Sequence, residues 1–173
     1  MSTLPGSLTA FGHIVLVTVF ALSSISKIRD FPSFRGHVMA TVPGAGRISG
    51  PTAAAVIAAE IGSGALIPLS RDGRWALVPA LILLSCFTLY LLWLITAHRG
   101  APCGCAGGAG EPTSLVHVVR NVLMMSVAVG LWFVADQPVD ATLLDYAIFA
   151  LPGLLIGASL LNLDQAVSFF RSV

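Results

Sequence analysis

The sequence predicts an all-α fold, a polytopic membrane helix bundle with a four-helix core and a fifth transmembrane helix. Two observations predict this class. The 173 residues are 56% hydrophobic and only 10% charged, whereas soluble globular domains carry about 25% charged residues. Apolar runs also recur at close to the length of about 20 residues that crosses a bilayer. We therefore expect a single membrane domain over residues 1–173. A net charge of +1 argues against a nucleic-acid partner.

Five apolar runs qualify as membrane spans, and polar segments separate them. The segment from Met1 to Ser7 contains no Lys or Arg, so it lacks the basic region of a cleaved signal peptide. We therefore expect the first run to be a retained helix. The predicted spans are residues 8–25, 51–69, 75–97, 115–135 and 143–163.

The segment between the first two spans, residues 26–50, is predicted to be a cytoplasmic loop that anchors the membrane surface. Its Lys and Arg residues favour the headgroup region of the inner leaflet. An apolar face for the interface would contain Phe31, Phe34, Val38 and Met39.

The second span is rich in small residues that recur every four positions. This spacing lets helix backbones approach closely in lipid, so we expect the second span to occupy the centre of the bundle. The two repeats are Ala54, Ala58 and Gly62, and Ala55, Ala59 and Ser63.

A carboxylate, Glu60, lies about 14 Å into the second span at a rise of 1.5 Å per residue. A charge at that depth is costly, so we expect it to face the interior with a partner or to carry a proton. Arg120, near the start of the fourth span, could reach toward it, and Lys27 follows the first span. We predict that Glu60, Arg120 and Lys27 form an intramembrane polar cluster. Such a cluster could position a loop, move a proton or hold a quinone head group.

Two isolated side chains within the spans also carry reactive groups. His13 has no partner at a metal-ligand spacing, so we expect a hydrogen bond to a neighbour, with a ligand or proton-carrier role as the alternative. Cys86 lies near the middle of the third span, where a buried thiol is usually inert packing.

The other two cysteines, Cys103 and Cys105, share a glycine-rich segment, residues 98–114, between the third and fourth spans. Thiol–disulfide exchange needs an attacking thiolate and a second, resolving thiol, and this pair supplies both. A bridge across one intervening residue would be strained and labile, with Gly104 relieving part of the strain. The pattern therefore favours a redox pair.

Two other interpretations of the cysteine pair stay open. Cys103 and Cys105 could bind a soft metal together with His98 or His117. Their spacing matches no standard zinc pattern, which has two to four residues between cysteines. Alternatively, the pair belongs to a flexible loop and has no function.

The positive charges predict the orientation, because Lys and Arg favour the cytoplasmic side of a membrane. With the N-terminus outside, that side holds seven of the nine basic residues. We therefore expect a multi-pass protein of a bacterial-type cytoplasmic membrane, with the cysteine pair on the cytoplasmic face. The seven are Lys27, Arg29, Arg35, Arg47, Arg99, Arg120 and Arg171, against Arg71 and Arg74 outside.

Together these features resemble the methylamine-utilisation MauE family, within the broader MauE/DoxX group of redox-associated membrane proteins. The resemblance covers most of the chain, and the Cys-Gly-Cys segment is its most specific element. Ala106 stands where the family often has an aromatic residue. The matching elements are residues 26–30, Glu60 with Gly62 and Gly64, Arg99-Gly100, Cys103-Gly104-Cys105, and Arg120.

The resemblance implies a membrane protein needed to mature methylamine dehydrogenase. Its role would be to form or handle disulfides of the small subunit, or to support that subunit's processing or transport. The implied partner is a thiol-containing protein, either thioredoxin-like or a periplasmic client. DoxX relatives suggest quinone-coupled thiol or sulfur oxidation, so a quinone is the cofactor that the resemblance suggests, although the sequence has no cofactor fingerprint.

The sequence thus predicts a membrane thiol–disulfide redox protein, whose pair exchanges disulfides with its partner. The alternatives are a non-catalytic membrane assembly or transport factor, a metal-binding subunit, and a DoxX-like quinone-linked oxidoreductase subunit. For a periplasmic client, electrons must cross the membrane between the client and a cytoplasmic pair, through a quinone or through a partner's cysteines. Otherwise the loop dips into the membrane or the topology is inverted.

Overall fold

The computed structural model describes residues 4–42, 44, 46–69, 73–97, 115–135 and 141–163. These residues form six α-helices and no strand, which confirms the all-α fold. Five of the helices are long and apolar enough to cross a membrane, in agreement with the five predicted spans. The helices are α1 (Leu4–Arg29), α2 (Phe31–Thr41), α3 (Ser49–Leu69), α4 (Gly73–Ala97), α5 (Leu115–Val134) and α6 (Leu143–Leu161).

Helix α2 is a correction, because residues 26–50 were expected to form a loop. The Asp30 side chain accepts a hydrogen bond from the Ser33 amide at 3.4 Å and so caps the helix. Pro32 stands at the start of the helix, where the missing amide costs no helical hydrogen bond. A cap and a first-turn proline were the available sequence signals for this helix.

Most of the apolar residues predicted for the membrane interface pack into the protein core instead. Phe34 and Val38 are buried in a small cluster with α3 residues, and Phe31 packs beside it. Met39 is 54% exposed and is the member of the predicted face that is left for the lipid interface.

Helix α1, and not α3, occupies the centre of the bundle. It packs against α3, α5 and α6 and also contacts α2. Half of its most apolar stretch is buried, against one third for α3. The predicted interface of small α3 residues is therefore wrong, because α3 turns its charged face inward and most of its small residues outward. Exposed residues of the two repeats are Ala54, Ala55, Ala58 and Ala59, while Ser63 is buried.

Glycines permit a close helix contact elsewhere, between the parallel helices α1 and α6. A Cβ added at Gly153 would lie 2.6 Å from Ile14 Cγ2, and one added at Gly157 would lie 2.8 Å from Thr18 Cβ. Only a residue without a side chain fits at these two positions, which are four residues apart. This is the small-residue spacing that supports helix association in lipid.

The up-and-down course of the chain brings one end of each of the five long helices together. Helices α1, α4 and α6 end, and α3 and α5 begin, at one end of the bundle, which we call the Lys27 end. There, Arg120 of α5 donates a hydrogen bond to the Leu161 carbonyl of α6 at 3.2 Å. At the opposite end, Ser7 of α1 donates to Asp145 of α6 at 2.9 Å. The fifth span is therefore tied to the core at both of its ends.

Candidate functional site

A buried ion pair joins α1 to α3. Lys27 Nζ lies 2.6 Å from Glu60 Oε1, and the two side chains are only 3% and 1% exposed. Side chains lean toward the N-terminus of their own helix. Lys27, near the end of α1, therefore leans into the bundle, and Glu60, in the middle of α3, leans toward the Lys27 end.

Two serines of α1 extend this ion pair. Lys27 Nζ donates to Ser23 Oγ at 2.6 Å, and Ser23 donates to Glu60 Oε1 at 3.0 Å. Ser24 Oγ lies 3.4 Å from Glu60 Oε2 but only 2.7 Å from the Phe20 carbonyl oxygen. A hydroxyl has a single proton, so the bond from Ser24 to the Phe20 carbonyl is favoured over the longer one to Oε2.

The Lys27 ammonium also lies against two aromatic rings. Its Nζ is 5.6 Å from the ring centroids of both Phe34 and Phe87, within the range of a cation–π interaction. An ammonium group has three donor protons. Ser23 and Glu60 take two of them, so one proton is available to a further acceptor on the side of the rings.

Arg120 lies close to the ion pair without contacting its carboxylate. Arg120 is 5% exposed, and its Nη1 donates to the Leu161 carbonyl at the end of α6. A cation at this position is favourable, because the carbonyls at a helix C-terminus carry partial negative charge. Arg120 Nε is buried and has no hydrogen-bond partner among the described residues. Arg120, Lys27 and Glu60 line one small cavity of about 20 Å³, about the size of one water molecule.

A larger cavity of about 220 Å³ opens between α1, α2, α3 and α4. Its wall is almost entirely apolar, and Lys27 reaches it between the two phenylalanine rings. The lining residues include Lys27, Phe34, His37, Val56, Cys86, Phe87 and Tyr90.

Three polar side chains form a closed hydrogen-bonded circuit beside this cavity. Thr41 Oγ1 donates to the His37 carbonyl at 2.8 Å, and Tyr90 Oη lies 2.6 Å from Thr41 Oγ1 and 3.0 Å from His37 Nε2. Because Thr41 uses its proton on the carbonyl, all three bonds form when Tyr90 donates to Thr41 and His37 donates to Tyr90. Burial lowers the pKa of His37 below its usual value.

Cys86 corrects the expectation of a buried thiol. The side chain is exposed on the surface of α4 and lines the larger cavity. A mid-span position in the sequence does not distinguish a residue that faces lipid from one that faces the core.

His13 has the hydrogen-bonded neighbour that we expected. Its Nδ1 lies 2.9 Å from Tyr146 Oη of α6, and the two rings stack with centroids 6.4 Å apart. This pair lies toward the end of the bundle opposite Lys27.

The cysteine pair itself, Cys103 and Cys105, lies outside the described residues, as does His98. His117 is buried in the first turn of α5. Within the described ranges, no group of three or more His, Cys, Asp and Glu side chains could hold a metal ion.

The sequence predicted the cluster of three charged residues but not the residues that surround Lys27. Ser23 stands four residues before Lys27, on the same helix face, and this spacing was a usable signal. Phe34, Phe87 and the Tyr90–His37 contact come from different helices, and only the packing of the helices brings them together.

These observations define the class of protein, a five-span membrane helix bundle with a buried, hydrogen-bonded ion pair. The family model described as methylamine utilisation protein MauE matches residues 6–134, well over half of the chain. The chain therefore belongs to the MauE family. The matched region contains the ion pair, Arg120 and both cysteines of the pair, and it ends before α6. No curated protein and no solved structure matches the chain.

Proposed function

We propose that this chain is a membrane thiol–disulfide redox protein that supports the maturation of a partner in methylamine utilisation. The partner would be a protein such as the small subunit of methylamine dehydrogenase, matured through disulfide formation, processing or transport. The observation that carries the proposal is the Cys103-Gly104-Cys105 sequence within the family match. It lies in the segment that connects α4 to α5, and both helices meet that segment at the Lys27 end.

The chemistry of such a pair is thiol–disulfide exchange. For disulfide formation, a thiolate of a partner at the same membrane face attacks one sulfur of an oxidised Cys103–Cys105 bridge, and the other cysteine leaves as a thiolate. A second partner thiol then attacks the mixed disulfide. This step releases the oxidised partner and the reduced pair. Each cycle places two electrons and two protons on the pair, which a further acceptor must remove.

The polar cluster would position this chemistry rather than perform it. Lys27 and Glu60 join α1 to α3, and Arg120 joins α5 to α6. Together they fix four helices at the end where the cysteine segment attaches. Buried charges of this kind are costly in a membrane, which favours a functional reason for keeping them.

We propose that the Lys27 end faces the cytoplasm of a bacterial-type cytoplasmic membrane. Lys27 and Arg120 are buried inside the bundle, so they should be left out of the count of surface charges. Five basic residues then favour the Lys27 end, against two at the opposite end. The Lys27 end still has the excess of basic residues, which supports the same orientation.

Genetic complementation tests the proposed function. In cells that lack the original gene, the double variant Cys103→Ser, Cys105→Ser should fail to restore partner maturation, while the Cys86→Ser variant restores it. Equal membrane levels of the two variants provide the control for folding. Full restoration by the double variant would reject the redox role and favour a non-catalytic assembly or transport factor.

A further inference from the structure

We propose that the 220 Å³ cavity between α1, α2, α3 and α4 binds the ring of a lipid-soluble quinone, with Lys27 as the donor to a ring oxygen. The inference rests on the proposed function, because a thiol pair that oxidises a partner needs a two-electron acceptor. A quinone supplies that chemistry by taking up two electrons and two protons as it becomes a quinol. The residues that line the site all lie within the described ranges.

The cavity wall selects a flat and apolar occupant. Phe34, Phe87 and Tyr90 present aromatic rings to it, and Val56 contributes to the apolar wall. Aromatic side chains favour other rings in offset-stacked or edge-to-face contact. The volume of about 220 Å³ accommodates a substituted ring and is too small for a two-chain lipid.

The charge at the base of the cavity selects a neutral head group with an acceptor oxygen. Lys27 has one donor proton beyond those used by Ser23 and Glu60. A fatty-acid carboxylate would have to lose its hydration in an almost entirely apolar cavity, where Lys27 is already paired with Glu60. A quinone carbonyl accepts the hydrogen bond without this cost.

Entry to the cavity is from the membrane. Cys86, which lines it, is exposed on the outer surface of α4, the surface that faces lipid in a transmembrane bundle. A quinone dissolved in the bilayer could therefore reach the cavity sideways, with its tail remaining among the lipids.

Tryptophan fluorescence can test this site, because quinones quench indole emission at short range. Trp93 lies beside the cavity residue Tyr90, with ring centroids 6.1 Å apart. The other two tryptophans, Trp75 and Trp132, meet edge to face toward the opposite end of the bundle. One reporter protein would keep Trp93 alone (Trp75→Phe, Trp132→Phe), and the matched reporter would keep the other pair (Trp93→Phe).

Both reporters would be placed in nanodiscs in a Cys103→Ser, Cys105→Ser background and titrated with a fully ring-substituted benzoquinone that carries a decyl tail. The Trp93 reporter should show saturable quenching, while the Trp75/Trp132 reporter shows only the linear quenching of random collisions. A saturated alcohol with the same tail should compete with neither. Linear quenching of both reporters would overturn the proposed site.

Two variants of the Trp93 reporter make the test specific. Val56→Phe fills the cavity and should abolish the saturable component, whereas Val129→Phe, on an exposed position of α5, should retain it. The charge-free pair Lys27→Met, Glu60→Gln should weaken binding about tenfold, the loss expected for one hydrogen bond from a charged donor. Unchanged saturable quenching in Val56→Phe would also overturn the site.

The Cys103→Ser, Cys105→Ser background cannot exchange disulfides, so the quinone-binding test is independent of the test of the proposed function. Saturable binding without exchange at Cys103 and Cys105 would reject the thiol chemistry and keep the site. Exchange at the pair without saturable binding would reject the site and keep the thiol chemistry.

Discussion

Lys27 Nζ and Glu60 Oε1 lie 2.6 Å apart inside the bundle, where neither side chain is more than 3% exposed. The contact joins the end of α1 to the middle of α3, and Ser23 hydrogen-bonds to both members. This arrangement lets the bundle keep a charged residue at a depth where a lone charge would be costly.

Removing one member of the pair should destabilise the protein more than removing both. Lys27→Met or Glu60→Gln alone leaves the other group without its partner, with an expected loss of about 3–5 kcal/mol in the free energy of unfolding. The double variant has no buried charge left to balance, so it should recover much of that loss. A double-mutant cycle measured by unfolding in mixed micelles checks this. If the loss of stability in the double variant equalled the sum of the two single losses, the two residues would not interact.

The glycines of α6 should be intolerant of even one methyl group. At Gly157 an added Cβ would lie 2.8 Å from Thr18 Cβ and 3.1 Å from the Val15 carbonyl oxygen. We expect Gly157→Ala to lower the free energy of unfolding by about 1–3 kcal/mol through overpacking. Gly130→Ala is the matched control, because nothing lies within 4 Å of its added Cβ. It should be neutral or stabilising by up to about 1 kcal/mol. Equal effects of the two changes would contradict the close α1–α6 contact.

Acid should weaken the docking of α2 through His37. Burial lowers the pKa of His37 below its ordinary value of 6.5, so the unfolded chain binds a proton at a higher pH than the folded chain does. The contribution to stability is therefore present above about pH 6.5 and is lost as the pH falls from there toward the folded pKa. The measurement is the free energy of unfolding between pH 8 and pH 5, compared with His37→Gln. The variant should show a smaller loss in acid, and identical profiles would exclude His37 as the cause.

The cysteine segment should be reached from the cytoplasmic side only. In a Cys86→Ser background, a membrane-impermeant maleimide should label Cys103 and Cys105 in inverted vesicles but not in intact spheroplasts. Prior reductant should increase the labelling if the pair is held as a disulfide. A cysteine introduced at Gln137, between the fourth and fifth spans, is the control and should give the opposite pattern. Labelling of the pair in spheroplasts would show that the topology is inverted.

The sequence was most informative where one physical effect dominates. The five spans follow from the length and apolarity of their segments, and the family match supports the resemblance carried by Glu60, Arg120 and the cysteine pair. Prediction failed where the result depends on which face of a helix points into the bundle. The small residues of α3 suggested a central helix, but the need to bury Glu60 turned a different face inward.

The structure also changed the expected relation between the charged residues. The sequence predicted one polar cluster of Glu60, Arg120 and Lys27 in which Arg120 could reach toward the carboxylate, because depth along a helix was the only available measure. In the bundle, Lys27 takes the carboxylate and Arg120 binds the last carbonyl of α6. The position of α6 relative to α5 could not be read from the sequence, so neither could the partner of Arg120.

Mixed-disulfide trapping tests the central claim most directly. In a Cys86→Ser background, Cys103→Ser and Cys105→Ser are made singly and the membranes are quenched with acid and alkylated. We predict that at least one single variant forms a reductant-sensitive adduct with a cysteine-containing partner, identified by mass spectrometry, and that the double variant forms none. If neither single variant forms such an adduct while the double variant still matures the partner fully, the protein is not a thiol–disulfide redox protein.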